Sequence, residues 1–172
     1  MEESALLRFY RGAGPDHRGR RLDDVLAFDE ARLESTHDYI QWLFPLPEPS
    51  GANARAPLLS AADREAFATD PALRAALVRS LDAMLAFYGL ERRGGPGGAC
   101  VVRGPRYRER SADWLGRPHN FLRVSRILRS LALLGCAPEA RALLGCLEGI
   151  RRENAEAIGE ETLGYWRRAA AG

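Results

Sequence analysis

The sequence has no lysine: all 25 of its basic residues are arginine. Arginine, alanine, glycine and proline are abundant together, as a GC-rich coding sequence produces. Cysteine is scarce and odd in number. Cys100, Cys136 and Cys146 exclude a disulfide framework and are expected to be reduced thiols in a cytosolic protein. Only three histidines occur, and none pairs with cysteine at zinc spacing, so no metal or other cofactor is expected. No apolar run approaches the roughly 20 residues of a membrane helix. The opening Met1-Glu2-Glu3 lacks the basic start of a signal peptide, so a soluble, cytoplasmic protein is expected. The glycines from Gly94 to Gly98 are not followed by the Gly-Lys-Ser/Thr of a phosphate loop. With no nucleophile–base spacing either, an enzyme is not expected.

What is present is helical. The 172 residues are 46% hydrophobic and 28% charged, enough for one domain with its own core. Leu33, His37, Ile40 and Phe44 step by four, three and four, which predicts one helix from an Asp29 cap to Pro45. Ser60 and Asp63 form a capping box in which Asp replaces the usual Glu. Asp70 caps and Pro71 opens a helix carrying Leu73, Leu77, Leu81, Met84, Leu85 and Tyr88, stopped by Gly89. A helix follows His119 and Asn120, with Val124, Ile127, Leu128, Leu131 and Leu134 inward and Arg123, Arg126 and Arg129 outward. Another begins at Pro138, and a last runs from about Glu160 to Arg168. Gly145 and Gly149, four apart, suggest the close approach of a neighbouring helix. No strand pattern competes, although Cys100 to Val102 reads as briefly extended. The expected fold is all-α: a single domain over 1–172 with five to seven helices and a long Gly/Arg-rich, flexible loop at 91–112.

Charge is uneven. Residues 103–129 carry +6 and the remainder −4, which gives either a basic patch for an anion or a solvated face in ion pairs. Tyr107 among Arg103, Arg106, Arg108 and Arg110 fits phosphate or nucleic-acid binding. His37 reads as a core histidine or as a site residue meeting His119, Gln41 and an arginine. The cluster Tyr39, Trp42 and Phe44 reads as core or as a ligand cage.

Two stretches carry a resemblance. The run from His37 to Pro49, with Y-I-Q-W-L-F-P at Tyr39–Pro45, and the run H-N-F-L-R-V-S-R-I-L-R-S-L at His119–Leu131 resemble the opioid growth factor receptor conserved-domain family. Leu85-Ala-Phe-Tyr-Gly89, Phe9-Tyr10-Arg11 and Tyr165-Trp166-Arg167 support it. The lysine-free composition suggests a bacterial-type member holding the shared domain alone. The resemblance implies receptor activity toward an opioid peptide, methionine-enkephalin in the animal members, which are nuclear or membrane-associated. It supplies no catalytic residues.

Three functions are therefore expected in order. The first is a receptor-like protein binding a small peptide or anionic ligand through His37, Tyr39, Gln41, Trp42, Arg106, Tyr107, His119, Asn120, Arg123 and Arg126, with Arg123 and Arg126 clamping a carboxylate. The second is a nucleic-acid or phosphate-binding module using residues 103–129. The third is an enzyme using His37 and His119. The stretches Tyr39–Pro45 and Phe121–Leu131 are expected to form a common wall.

Overall fold

A computed structural model describes residues 3–94 and 98–172. Of the Gly94–Gly98 run, residues 95–97 lie outside the described residues. The chain divides into two compact units, Met1–Ser80 and Leu81–Gly172, with the division inside one continuous helix. Ten helices and one two-stranded sheet are found among the described residues, so the protein is mostly helical. The helical expectation holds in its main feature, with ten helices where five to seven were expected and a small two-stranded sheet beside them.

In the first unit, α1 (Ala5–Tyr10) starts at Ser4, whose hydroxyl accepts from Leu7 N. That hydroxyl also donates to Asp63 Oδ1 at 2.6 Å. Asp63 completes the Ser60 capping box of α5 (Ala61–Thr69). The buried Asp63 carboxylate therefore serves two helix N-termini, where negative charge is favoured. Between them lie α2 (Leu22–Leu26), α3 (Glu30–Ser35, capped by Asp29) and α4 (Ile40–Leu43). The single helix expected over 29–44 is thus two, broken at residues 36–39. Its stripe does not continue: Leu33 and Ile40 are buried while His37 is exposed. The core is aromatic, with edge contacts from Phe9 to Trp42 (5.2 Å), Tyr10 to Phe67 (4.9 Å) and Phe28 to Tyr39 (6.1 Å). The Tyr10 hydroxyl donates to Leu43 O, which satisfies the polar end of that buried phenol.

α6 (Pro71–Tyr88) runs across the division, with Asp70 Oδ1 accepting from Ala72 N at 2.9 Å. In the second unit, β1 (Leu90–Arg93) pairs antiparallel with β2 (Cys100–Arg103), Leu90 opposite Arg103 and Arg93 opposite Cys100. α7 (Tyr107–Trp114) follows. These elements replace much of the loop expected at 91–112, with only the Cys100–Val102 extension foreseen. Gly89 explains the turn between helix and hairpin. Its φ is +74°, and a Cβ there would sit 2.7 Å from Tyr107 Cα. It both ends α6 in the left-handed conformation and lets α7 lie against the backbone.

α7 then satisfies the end of α6. Arg110 Nε donates to Phe87 O at 2.9 Å and Trp114 Nε1 to Tyr88 O at 3.1 Å, two of the last carbonyls that have no partner within the helix. Residues 118–171 form a three-helix group: α8 (Pro118–Leu133), α9 (Ala137–Glu153) and α10 (Glu160–Ala171) pack on one another, and β2 packs on α9. Trp166 Nε1 donates to Phe121 O at 3.1 Å, and the Phe121 ring stands edge-on between Trp114 and Trp166. Two details differ from expectation. Gly145 faces open space and Gly149 meets only an Arg152 side chain, so neither glycine admits a helix. Of Cys136 and Cys146, which both read as small core residues from their apolar helical setting, Cys136 is buried and Cys146 only part-buried, while Cys100 is exposed.

Candidate ligand-binding site

The stretch Tyr39–Pro45 belongs to the first unit and Phe121–Leu131 to the second, so the residues expected to make one wall fall in different units. In the first, Tyr39 is fully buried and donates to Leu33 O at 3.1 Å. Trp42 is 5% exposed. Both rings are core, while His37 is exposed and not a core histidine. Gln41 is buried, and its Nε2 donates to His37 O (3.2 Å) and Ser50 Oγ (3.4 Å). The Gln41 Oε1 is enclosed and makes no hydrogen bond among the described residues.

Around Trp42 the structure assembles groups that sequence reasoning passed over. The loop Asp16–Arg20 is closed by Asp16 N to Arg20 O (2.8 Å) and Gly19 N to Asp16 O (3.0 Å), with Gly19 at φ +80°. Asp16, 5% exposed, accepts Arg18 N (2.8 Å) and Arg20 N (2.9 Å) on Oδ1 and Arg20 Nε (2.6 Å) on Oδ2. Arg20 Nη2 reaches Asp38 Oδ1 at 2.9 Å. That contact is short but poorly aligned, so it acts more as an ion pair than as a hydrogen bond. Arg18 Nε donates to Asp38 Oδ2 at 2.9 Å. The four residues make an alternating chain, Asp16–Arg20–Asp38–Arg18. Burial alone would raise the Asp38 carboxyl, but Arg20, Arg18 and the nearby His17 together outweigh it and hold it below its ordinary value.

His17 links this chain to the core. Its ring lies 6.1 Å from that of Trp42, 13° from parallel, and its Nδ1 accepts the Trp42 Nε1–H at 2.9 Å. Indole nitrogen only donates, so Nδ1 is unprotonated and the proton sits on Nε2, 3.5 Å from Asp38 Oδ2. A His–Asp pair suggests general-base chemistry, but here Nδ1 is occupied by Trp42 and Nε2 faces Asp38. The pair orients rather than transfers protons. Asn53 Nδ2 donates to Asp38 O at 3.1 Å and fixes the backbone beside it. The signal that could have found this site is the spacing Asp16-His17-Arg18-Gly19-Arg20, an acid two and four residues before arginines in a glycine-punctuated loop.

In the second unit three arginines of the basic segment are paired with carboxylates. Arg103 makes a bidentate pair with Glu153 (2.9 and 2.8 Å) and lies over the Tyr107 ring at 4.7 Å. Burial pushes the half-buried Tyr107 hydroxyl up. Arg106 pairs with Glu109 (2.7 Å) and Arg110 with Asp113 (2.7 Å). On α8, His119 and Arg126 are part-buried and Asn120 is fully buried. Arg123 is 5% exposed and its Nη1 donates to Asn120 Oδ1 at 3.3 Å. The expected outward row Arg123–Arg126–Arg129 is therefore corrected: Arg123 is buried. α8 begins at Pro118 with Arg117 as its cap, so neither His119 nor Asn120 caps it. Among the described residues no group of three or more potential ligands could hold a metal ion, and no helix is long and apolar enough to cross a membrane.

The mostly helical architecture, the aromatic core of the first unit and the ion-pair chain beside it fix a structural class rather than a particular chemistry. Comparison with known proteins gives the family. Residues 2–170 match the opioid growth factor receptor conserved region, and the chain belongs to that family. It is 38% identical to the human opioid growth factor receptor over 138 residues, covering 78% of this chain and 20% of the human protein. Over 105 residues it is 46% identical to the rat receptor, covering 60% of this chain and 17% of that protein. It is also 36% identical to opioid growth factor receptor-like protein 1 of Xenopus tropicalis over 133 residues, covering 75% and 25%. The match thus spans about a fifth of the length of the receptors. No solved structure matches.

Proposed function

We propose that the protein is a receptor-like ligand-binding module that takes a short peptide or another small anionic ligand, and that it binds its ligand without transforming it. Family membership supports the receptor class. The observation that carries the reading is the chain Asp16–Arg20–Asp38–Arg18 set beside the His17–Trp42 stack. A partly buried ion-pair chain contributes little net stability, because desolvation offsets its Coulomb gain. Charged groups gathered in one place with a shifted carboxyl are a mark of binding sites. The stretch that carries the family resemblance supplies Asp38 and Trp42 to this cluster.

The nucleic-acid reading finds less support. Arg103, Arg106 and Arg110 already face Glu153, Glu109 and Asp113, so those three guanidiniums would have to leave a carboxylate to meet a phosphate. The test is calorimetric titration of the purified chain with methionine-enkephalin and with unrelated pentapeptides. Saturable heat with a peptide is expected. An absence of heat for every peptide would refute the peptide part of the reading.

A further inference from the structure

Arg18 differs from the other arginines near the candidate site in what its guanidinium has left to give. Its side chain is 64% exposed. The Nε is committed to Asp38 at 2.9 Å, and the two Nη groups have no protein partner among the described residues. They form the open end of a guanidinium fork, the geometry that takes a carboxylate through two parallel hydrogen bonds. Arg123, by contrast, is 5% exposed and bonded within its own helix.

The fork is also held in place before any ligand arrives. Arg18 is tied at its backbone by Asp16 Oδ1 and at its side chain by Asp38. Asp38 is held by Arg20, and Arg20 by Asp16. The loop that carries Arg18 is closed by two backbone hydrogen bonds. An unrestrained surface arginine loses rotamer entropy when it closes on an anion, and that loss usually consumes the gain. Here much of the ordering is already done. The four charges of the chain balance, and its alternation from the buried Asp16 outward places a positive group at the exposed end.

We infer that Arg18 is the anion-receiving residue of this protein, binding a carboxylate such as a peptide C-terminus through its two Nη groups, with Asp16, Arg20 and Asp38 as positioning residues. As a peptide site this rests on the ligand-binding reading above. As an anion site it is tested separately.

The first arm follows the arginine side-chain N–H resonances of the full chain by NMR during titration with acetate and with inorganic phosphate. A saturable shift at Arg18, larger than at exposed Arg108, is expected, and phosphate against acetate reports which oxyanion is preferred. Equal, non-saturating shifts at both arginines overturn the inference. The second arm measures peptide affinity for methionine-enkephalin and its C-terminal amide on the wild type, Arg18→Gln and Arg126→Gln. The amide and Arg18→Gln are each expected to weaken binding about tenfold. The acid–amide difference should vanish in Arg18→Gln and persist in Arg126→Gln. Peptide binding that ignores both changes overturns Arg18 and leaves the receptor reading standing. Peptide silence with a saturable acetate shift removes the peptide and keeps the anion site.

Discussion

Replacing Gly89 by alanine should damage the second unit more than an ordinary surface substitution would. Two terms are involved. A Cβ at φ +74° brings the left-handed penalty of about 1–2 kcal/mol for an L-residue. The same atom would lie 2.7 Å from Tyr107 Cα and 3.0 Å from both Arg106 O and Arg110 Cβ. Two of those three are backbone atoms, so relief requires α7 to move rather than a side chain to turn. Overpacking of this kind costs about 1–3 kcal/mol. Together the terms predict a loss of about 2–5 kcal/mol. Movement of α7 also lengthens the bonds from Arg110 to Phe87 O and from Trp114 to Tyr88 O, which favours the upper half of that range. With a urea slope of about 2 kcal/mol per molar, the midpoint should fall by about 1–2.5 M, read by far-UV circular dichroism. Gly145→Ala is the matched control. That glycine lies inside α9, and nothing stands within 4 Å of its added Cβ, so alanine there should stabilise by about 0.5–1 kcal/mol. If Gly89→Ala unfolds at the wild-type midpoint, the account of the α6–hairpin junction is wrong.

Arg110→Met keeps much of the bulk against the Phe87 ring but leaves Phe87 O without its donor, and should cost about 1–3 kcal/mol; a change within experimental error would show that the carbonyl is satisfied otherwise. Asp38, with its folded-state value depressed, stabilises the protein above its unfolded value near 3.8 and loses that contribution as pH falls through the lower folded value. Asp38→Asn should therefore be less stable than wild type at neutral pH, with the difference narrowing in acid; a gap that widens in acid would contradict the assigned direction. Among the thiols, exposed Cys100 should react first with a thiol-exchange reagent. Cys136 is buried, and burial pushes the Cys146 thiol up despite Arg103 nearby. Cys100→Ser should abolish the fast phase, and retention of that phase would reassign it.

Helix ends were the most legible part of this protein. The Asp29, Ser60–Asp63 and Asp70–Pro71 starts and the Gly89 stop were readable because each depends on residues within about four positions. α7 was not readable. Its sequence, Tyr-Arg-Glu-Arg-Ser-Ala-Asp-Trp, has no apolar stripe, and its buried pair is Arg110 and Trp114. Arginine counts as a surface residue in any pattern analysis, yet here its guanidinium lies over the Phe87 ring and donates to a helix-end carbonyl. The hairpin was hidden for a related reason: Leu-Glu-Arg-Arg has little strand character, and its partner begins seven residues further on.

The site was legible in type more than in place. Attention fell on the helical period around His37, while the break at residues 36–39 exposed that histidine and left Asp38 to meet Arg18, His17 and Arg20. Family, helical character and helix caps follow from neighbouring residues and from matched sequence, so the chain carries them in its order of letters. Which arginine is core, which is paired and which keeps open donors depends on carboxylates and carbonyls tens of positions away. One guanidinium chemistry serves all three roles, and only the folded backbone, by placing those oxygens, chooses among them.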